Sequence, residues 1–158
     1  MSTARRLNFA VGSNSGYRLT KAPVGGEFSI PIRVYFEDTD AGGIVYYANY
    51  LKFIERARTE WVRDLGVDQG ALKAEAGIVF AVRRVEADFV SPARFDDVVT
   101  VTTTLDKLTG ARLVLDQSVH RGDDRIFSAS VTLVALSEDG RPARLPANIR
   151  QKLAGEQP

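Results

Sequence analysis

The chain has 158 residues, the length of a single domain, and its 21 lysines and arginines nearly balance its 20 aspartates and glutamates, which gives a formal net charge of +1. This balance argues against nucleic acid as a partner, because nucleic-acid-binding domains carry a clear excess of basic residues. The chain has no cysteine, which excludes disulfide bonds, thiolate nucleophiles and thiolate metal sites.

The N-terminal segment, residues 1–28, combines glycine, serine and proline with scattered apolar residues and shows no sustained period. We predict a flexible extension. Arg5 and Arg6 are too few basic residues for an organelle transit peptide, and the segment lacks the apolar stretch of a secretory signal. No part of the chain approaches the roughly 18 uninterrupted apolar residues of a membrane span. We therefore expect a soluble, cytoplasmic protein without stable membrane insertion.

One strand and one long helix are predicted next. Ile30, Ile32 and Val34 alternate with other residues between positions 29 and 35, which is the period of a strand with one buried face. After a glycine-containing loop, apolar residues recur at the three- and four-residue spacing of an amphipathic helix. They are Tyr50, Phe53, Ile54, Ala57, Trp61 and Leu65.

The helix is predicted to begin after Asn49, as its N-cap, and to stop at Gly66. Residues 67–77 then form a connector, and everything beyond it has the pattern of sheet. Four strands are predicted, at residues 78–90, 99–105, 111–115 and 127–135. Two consecutive charges, Arg83 and Arg84, interrupt the alternation of the first of these strands and predict a β-bulge.

The links between these strands, at residues 91–97, 106–110 and 121–124, are short and turn-like, so we expect antiparallel hairpins. A strand, a long helix and four more strands indicate an α+β domain over residues 29–153, followed by a tail over 154–158. In such a fold an antiparallel sheet of about five strands wraps around the helix. The last strand has apolar residues on both faces, which predicts a partner subunit.

The segment with the clearest chemical pattern lies between the first strand and the helix. Asp38 and Asp40 precede Gly42 and Gly43, and a helix begins a few residues later. Glycines let a backbone approach a ligand closely, and a helix N-terminus presents unpaired N–H groups. A carboxylate beside such donors suits acyl transfer. The same residues would also fit a solvated turn that caps a helix, and the spacing alone leaves both interpretations open.

The sequence EDTDAGGIVYYANYLKFIERARTEW resembles the signature of the hot-dog thioesterases of the 4-hydroxybenzoyl-CoA thioesterase type. It is most similar to the bacterial Tol-Pal-associated acyl-CoA thioesterases of the YbgC kind. The resemblance continues through FAVRRV, SPARFDD and RLP, and so covers roughly residues 30–153. It implies a hot-dog fold, an acyl-CoA substrate, no metal or cofactor, and a homodimer or homotetramer with sites at the dimer interface.

The same resemblance implies roles for individual residues. Asp40 falls on the catalytic carboxylate of the family, and Tyr47 falls at the helix entry, where the family polarises the thioester carbonyl with a backbone N–H. Phe36, Gly43 and Asn49 fall on positions expected to contact substrate. The chain departs from YbgC-like relatives in having Phe36 in place of a tyrosine and Tyr47 in place of a histidine. A mechanism that needs an imidazole beside the aspartate is therefore not expected here.

The expected reaction is hydrolysis of an acyl-CoA to a free acid and coenzyme A, with Asp40 as nucleophile or as the base that activates water; the sequence does not choose between them. No G-x-S-x-G motif is present, and the single histidine, His120, is distant in sequence from Asp40 and is expected at the surface. One histidine and no cysteine argue against a metal site. The alternative function is a non-catalytic acyl- or protein-binding module linked to Tol-Pal or phospholipid-synthesis machinery.

Overall fold

The structure, a computed structural model, describes residues 26–156. Most of the predicted N-terminal extension lies outside the described residues, but Phe28 is buried and opens the first strand. The described residues form five strands: β1 (Phe28–Arg33), β2 (Ile78–Phe89), β3 (Val98–Leu108), β4 (Arg112–Arg121) and β5 (Asp124–Ser137). Three α-helices accompany them: α1 (Asn49–Asp64), α2 (Gln69–Ala76) and α3 (Ala147–Leu153).

The strands form one five-stranded sheet in the order β1-β3-β4-β5-β2, with every neighbouring pair antiparallel. The links β3–β4 and β4–β5 are hairpins, as predicted. The link from β2 to β3 is not, because β2 pairs with β5 at one edge while β3 lies next to β1 near the other. Residues 90–97 are therefore a crossover between two separated strands. They pass over the end of the sheet near the acidic loop.

The predicted bulge in β2 is confirmed. Val82 lies opposite Leu133 and Arg84 opposite Thr132, so Arg83 is the extra residue of the bulged strand. The bulge lets two consecutive charged residues face solvent without turning the rest of the strand over. On both sides of it, Val82 and Val85 stay opposite residues of β5 that are buried, Leu133 and Val131.

The core lies between the sheet and α1. The inner face of the sheet contributes every second residue of each strand, as in β5, where Phe127, Val131 and Ala135 are fully buried. The predicted apolar stripe of α1 packs onto this face, with Phe53, Ile54 and Ala57 at 0–1% exposure. The predicted α+β architecture, one antiparallel sheet of five strands around a long helix, is confirmed.

One of the two ends of α1 differs from the prediction. Gly66 adopts a left-handed conformation with φ of 79° just beyond the helix, as predicted for a C-terminal stop. Asn49, by contrast, is not the N-cap. It is the first helical residue, Ala48 occupies the cap without a side-chain hydrogen bond, and the Asn49 side chain turns back into the preceding loop.

Two short helices interrupt the region predicted to be connector and sheet. Asp68 caps α2 by accepting a hydrogen bond from the Ala71 N–H at 2.9 Å, and Gly77 ends it in the left-handed conformation. In α3, Ile149 and Leu153 are one turn apart and both buried against the domain. None of the helices within residues 26–156 has the length and apolar character needed to cross a membrane.

One edge of the sheet exposes several apolar side chains among the described residues. β2 is the terminal strand of the sheet, and Val82, Val85 and Phe89 on it are between 37% and 51% exposed. On the outer face of the neighbouring β5, Val134 and Leu136 are half-buried. A long apolar edge strand presents unpaired backbone groups that another chain can pair with.

Candidate active site

The two aspartates of the acidic loop, residues 34–48, have different environments. Asp38 is buried at 6% exposure and its carboxylate accepts a hydrogen bond from the Tyr35 N–H at 2.8 Å. Its backbone carbonyl accepts two more, from the Tyr46 N–H at 2.8 Å and from the Asn49 side-chain amide at 2.9 Å. Asp38 is thus engaged in holding the loop closed.

Asp40 is exposed at the tip of the same loop. One oxygen, Oδ1, accepts the Gly42 N–H at 2.8 Å, and the backbone on either side is fixed by bonds with Gly43 and Ile44 at 3.0 and 2.9 Å. The other oxygen, Oδ2, has no hydrogen-bond donor among the residues that the structure describes. Asp40 therefore presents a positioned carboxylate with one oxygen available to a ligand.

The two glycines have distinct reasons to be glycine. Gly43 has a φ of 74°, in the left-handed region that other residues rarely adopt, and a Cβ there would meet no atom within 4 Å. A Cβ on Gly42 would lie 3.1 Å from Asp40 Oδ1, tighter than most real contacts. Gly43 thus turns the chain, and Gly42 keeps space beside the carboxylate.

The end of the acidic loop, at the start of α1, supplies free hydrogen-bond donors. The N–H groups of Asn49 and Leu51 bond back to the carbonyls of Tyr46 and Ala48 at 2.8 and 3.2 Å. The N–H groups of Tyr47 and Ala48 have no such partner within residues 26–156. Unpaired N–H groups at the positive end of a helix dipole are suited to a developing oxyanion.

Exposed aromatic rings surround the loop. The Tyr47 side chain is 60% exposed and meets Tyr46 and Phe89 edge-on, with ring centroids 5.0 and 6.0 Å away. Phe36, at 74% exposure, stacks on Phe95 with centroids 4.0 Å apart. Phe89 and Phe95 carry no signal in the sequence as site residues, since each contacts the loop from a distant part of the chain.

Within the crossover segment, Ala93 links the acidic loop to α1. Ala93 accepts the Val45 N–H at 2.9 Å, and its own N–H donates to the Tyr50 hydroxyl oxygen at 2.9 Å. Arg121 at the end of β4 holds the same segment by donating to the Pro92 carbonyl at 2.8 Å. The loop, the crossover and the first turn of α1 are therefore tied together at Tyr50.

The Tyr50 ring is part of the core. It stacks on Phe127 with centroids 5.0 Å apart and lies edge-on to Phe89 at 5.8 Å. Burial raises the pKa of its hydroxyl, partly offset by the hydrogen bond from Ala93. Tyr50 is thus a neutral anchor that connects the apolar interior to the site.

Of the remaining sequence-predicted residues, Asn49 is buried at 8% exposure and its amide faces the Asp38 carbonyl, so the structure places it behind the loop surface. His120 lies on β4 and is half-buried rather than fully exposed, with its Nε2 hydrogen-bonded to Ser118 Oγ at 2.9 Å. Within residues 26–156, no three His, Cys, Asp or Glu side chains are grouped closely enough to hold a metal ion.

The chain matches known proteins over most of its length. The sequence model of the thioesterase superfamily matches residues 42–128. An acyl-CoA thioesterase YbgC of Haemophilus influenzae is 39% identical over 125 residues, which are 78% of this chain and 91% of the relative. A 1,4-dihydroxy-2-naphthoyl-CoA hydrolase of Thermosynechococcus vestitus is 31% identical over 72% of this chain and 82% of the relative.

Solved structures agree. A probable thioesterase of Bartonella henselae matches with a TM-score of 0.74 and 37% identity, over 77% of this chain and all of its own (100%). A mutant 4-hydroxybenzoyl-CoA thioesterase complexed with 4-hydroxybenzoyl-CoA matches with a TM-score of 0.74 and 26% identity, over 80% of this chain and 98% of its own. The hot-dog fold that the sequence predicted is confirmed, and the chain belongs to the thioesterase superfamily.

Proposed function

We propose that this protein hydrolyses acyl-CoA thioesters to a free acid and coenzyme A, with Asp40 as the catalytic carboxylate. The observation that carries this proposal is that one loop contains both the available Oδ2 of Asp40 and the unpaired N–H groups of Tyr47 and Ala48. Curated relatives at 39% identity are named acyl-CoA thioesterases or thioester hydrolases, which supports the same reaction.

The chemistry needs few groups. A thiol has a pKa near about 8.5, so the coenzyme A thiolate leaves without a strong general acid. The main demand is to stabilise the oxyanion that forms when the carbonyl carbon is attacked, and the N–H groups of Tyr47 and Ala48 meet it. Asp40 either attacks the carbon itself, giving a mixed anhydride that water then cleaves, or removes a proton from the attacking water.

The other residues support this pair in different ways. We assign substrate contact to Phe36 and to the backbone at Gly43, because both are exposed beside Asp40. Asn49 acts by positioning, since its buried amide holds the carbonyl of Asp38, two residues before the catalytic carboxylate. The Tyr47 ring borders the site, and its backbone N–H does the polarising.

We propose that the catalytic domain, residues 29–153, works as a homodimer that pairs through the β2 edge, either alone or within a homotetramer. Its support is the exposed apolar edge, where Phe89 lies beside Tyr47, so that a partner docked there would come close to the acidic loop. Light scattering that found a fully active monomer at micromolar concentration would contradict this assembly. The cytoplasmic location stays a prediction from the sequence.

Release of free thiol from a panel of acyl-CoA esters tests the function. The panel should run from acetyl-CoA to palmitoyl-CoA and include an aromatic ester, because aromatic rings are exposed at the acidic loop. We expect continuous turnover of at least one ester. Tight binding of an ester without release of thiol would instead identify the non-catalytic binding module, and neither binding nor release would refute both.

A further inference from the structure

A cavity among the described residues lies on the outer face of the sheet, away from the acidic loop. It has a volume of about 500 Å³, within the range of small-molecule sites. Its floor is apolar and consists of Ala111, Val134, Leu136 and Pro142. Leu136 forms a β-bridge with Pro142 and lies on the same strand face as Val134, so these three floor residues are neighbours.

The rim of this cavity is cationic. Arg83 and Arg112 line it, together with Thr109. Arg112 lies opposite Val134 in the β4–β5 ladder, and Arg83 is the extra residue of the β2 bulge, so both guanidinium groups belong to the same end of the sheet. Within residues 26–156 neither guanidinium group forms an ion pair or donates a hydrogen bond.

This cavity is separate from the candidate active site. Arg83 and Phe89 are both on β2, six residues apart, which in a strand corresponds to about 20 Å. The Phe89 ring faces inward, opposite Phe127, and contacts Tyr47 at the start of α1. The cavity floor, in contrast, is on the outer face of β5.

We propose that this cavity binds an amphiphile with one anionic head and an alkyl chain, specifically a fatty carboxylate. Guanidinium groups pair well with carboxylates. The apolar floor beside them accommodates a hydrocarbon chain, whereas a purely polar anion would leave this floor unused. The choice of a carboxylate over other amphiphilic anions rests on the proposed function, because hydrolysis of an acyl-CoA releases a molecule of this class. The site then binds the product at a distance from the chemistry.

Calorimetric titration of the full-length protein with octanoate tests the proposal, with acetate and coenzyme A as comparison ligands. The variant is the double substitution Arg83→Gln and Arg112→Gln, which removes the charges and keeps polar side chains at both positions. The matched control is Arg125→Gln with Arg150→Gln, because these two exposed arginines have no side-chain partner among the described residues. Thermal unfolding of both variants verifies that they are folded.

We expect octanoate to bind the wild type and the control equally, and to bind the cavity variant at least about tenfold more weakly, since hydrogen bonds to charged groups contribute this much. Acetate should bind far more weakly than octanoate. Equal octanoate affinity in all three proteins overturns the proposal, as does an arginine-dependent affinity for coenzyme A alone. Thiol release by the wild type is measured separately, so failure of this site and failure of the proposed function are distinguishable.

Discussion

The interior beneath α1 and the acidic loop above its first turn differ in how completely their polar groups are hydrogen-bonded. In the interior, no buried side-chain polar atom of the described residues lacks a partner. Gln117, at 2% exposure, donates to the Ile54 carbonyl and to Thr103, and accepts from Arg58. In the loop, one oxygen of Asp40 and the N–H groups of Tyr47 and Ala48 have no partner in the described chain.

The difference shows in which part of the chain polar groups stay available to bind a ligand. A buried polar group without a partner costs folding free energy, so the interior must satisfy each one. Polar groups in an exposed loop can lack a protein partner at little cost, because water forms hydrogen bonds with them when no ligand is bound. The buried Asp38 and the exposed Asp40, two residues apart, show both rules within one segment.

Removing the exposed carboxylate should have the largest effect. Asp40→Asn keeps the shape of the side chain but can neither attack the thioester nor accept a proton usefully, so we expect kcat to fall by at least about a thousand-fold. The melting temperature should stay within about 1–2 °C of the wild type, since surface substitutions change stability little. The matched control is Glu37→Gln, an exposed acid of the same loop. Similar rates for both variants would remove Asp40 from the mechanism.

The interior should respond in the opposite sense. Phe53→Ala removes a fully buried ring under α1 and is expected to lower the free energy of unfolding by about 3–5 kcal/mol. Denaturant titration measures this loss. Leu51→Ala, on the exposed side of the same helix, is the control and should cost much less. Comparable losses for the two would mean that α1 does not pack as described.

Tyr50 joins the two regions, so its hydroxyl should affect both. Tyr50→Phe leaves the Ala93 N–H without its acceptor, at a cost of about 1–3 kcal/mol, and loosens the acidic loop. Burial raises the pKa of this phenol, so the stability tied to its neutral form is fully present below pH about 10 and is lost as the pH rises through the folded-state pKa. The alkaline loss of unfolding free energy should therefore be smaller in Tyr50→Phe. An identical alkaline profile would show that the hydroxyl is not buried.

The smallest effect is expected at the Tyr47 side chain. Its backbone N–H is present whatever the side chain is, and a phenol is a poor base at neutral pH. Tyr47→Phe should reduce kcat/KM by less than about tenfold, which is under about 1.4 kcal/mol. A loss near a hundred-fold, or a gain of activity in Tyr47→His, would make the side chain a direct participant in catalysis.

Local patterns in the sequence were sufficient for the elements with strong periodicity. The stripe from Tyr50 to Trp61 predicted α1, and the paired charges at Arg83 and Arg84 predicted the bulge. Helix α2 was missed because only Leu72 of its eight residues is buried, which leaves almost no apolar period. Its end signals, Asp68 and Gly77, were present and could have found it.

Contacts between distant parts of the chain could not be predicted in this way. The crossover of residues 90–97 is short enough for a hairpin, and only the pairing of β2 with β5 shows that it is not one. The acidic loop with Asp40 followed from its own residues and the resemblance. Its partners Phe95 and Ala93 did not, because their contacts depend on the strand order.

A crystal structure of the Asp40→Asn variant with an uncleaved acyl-CoA tests the central claim most directly. We expect the thioester carbonyl oxygen at about 2.7–3.1 Å from the N–H groups at the start of α1, with its carbon facing the side chain at position 40. Thioester bound elsewhere, with the N–H groups of Tyr47 and Ala48 still unpaired, would contradict the assignment of the acidic loop as the active site.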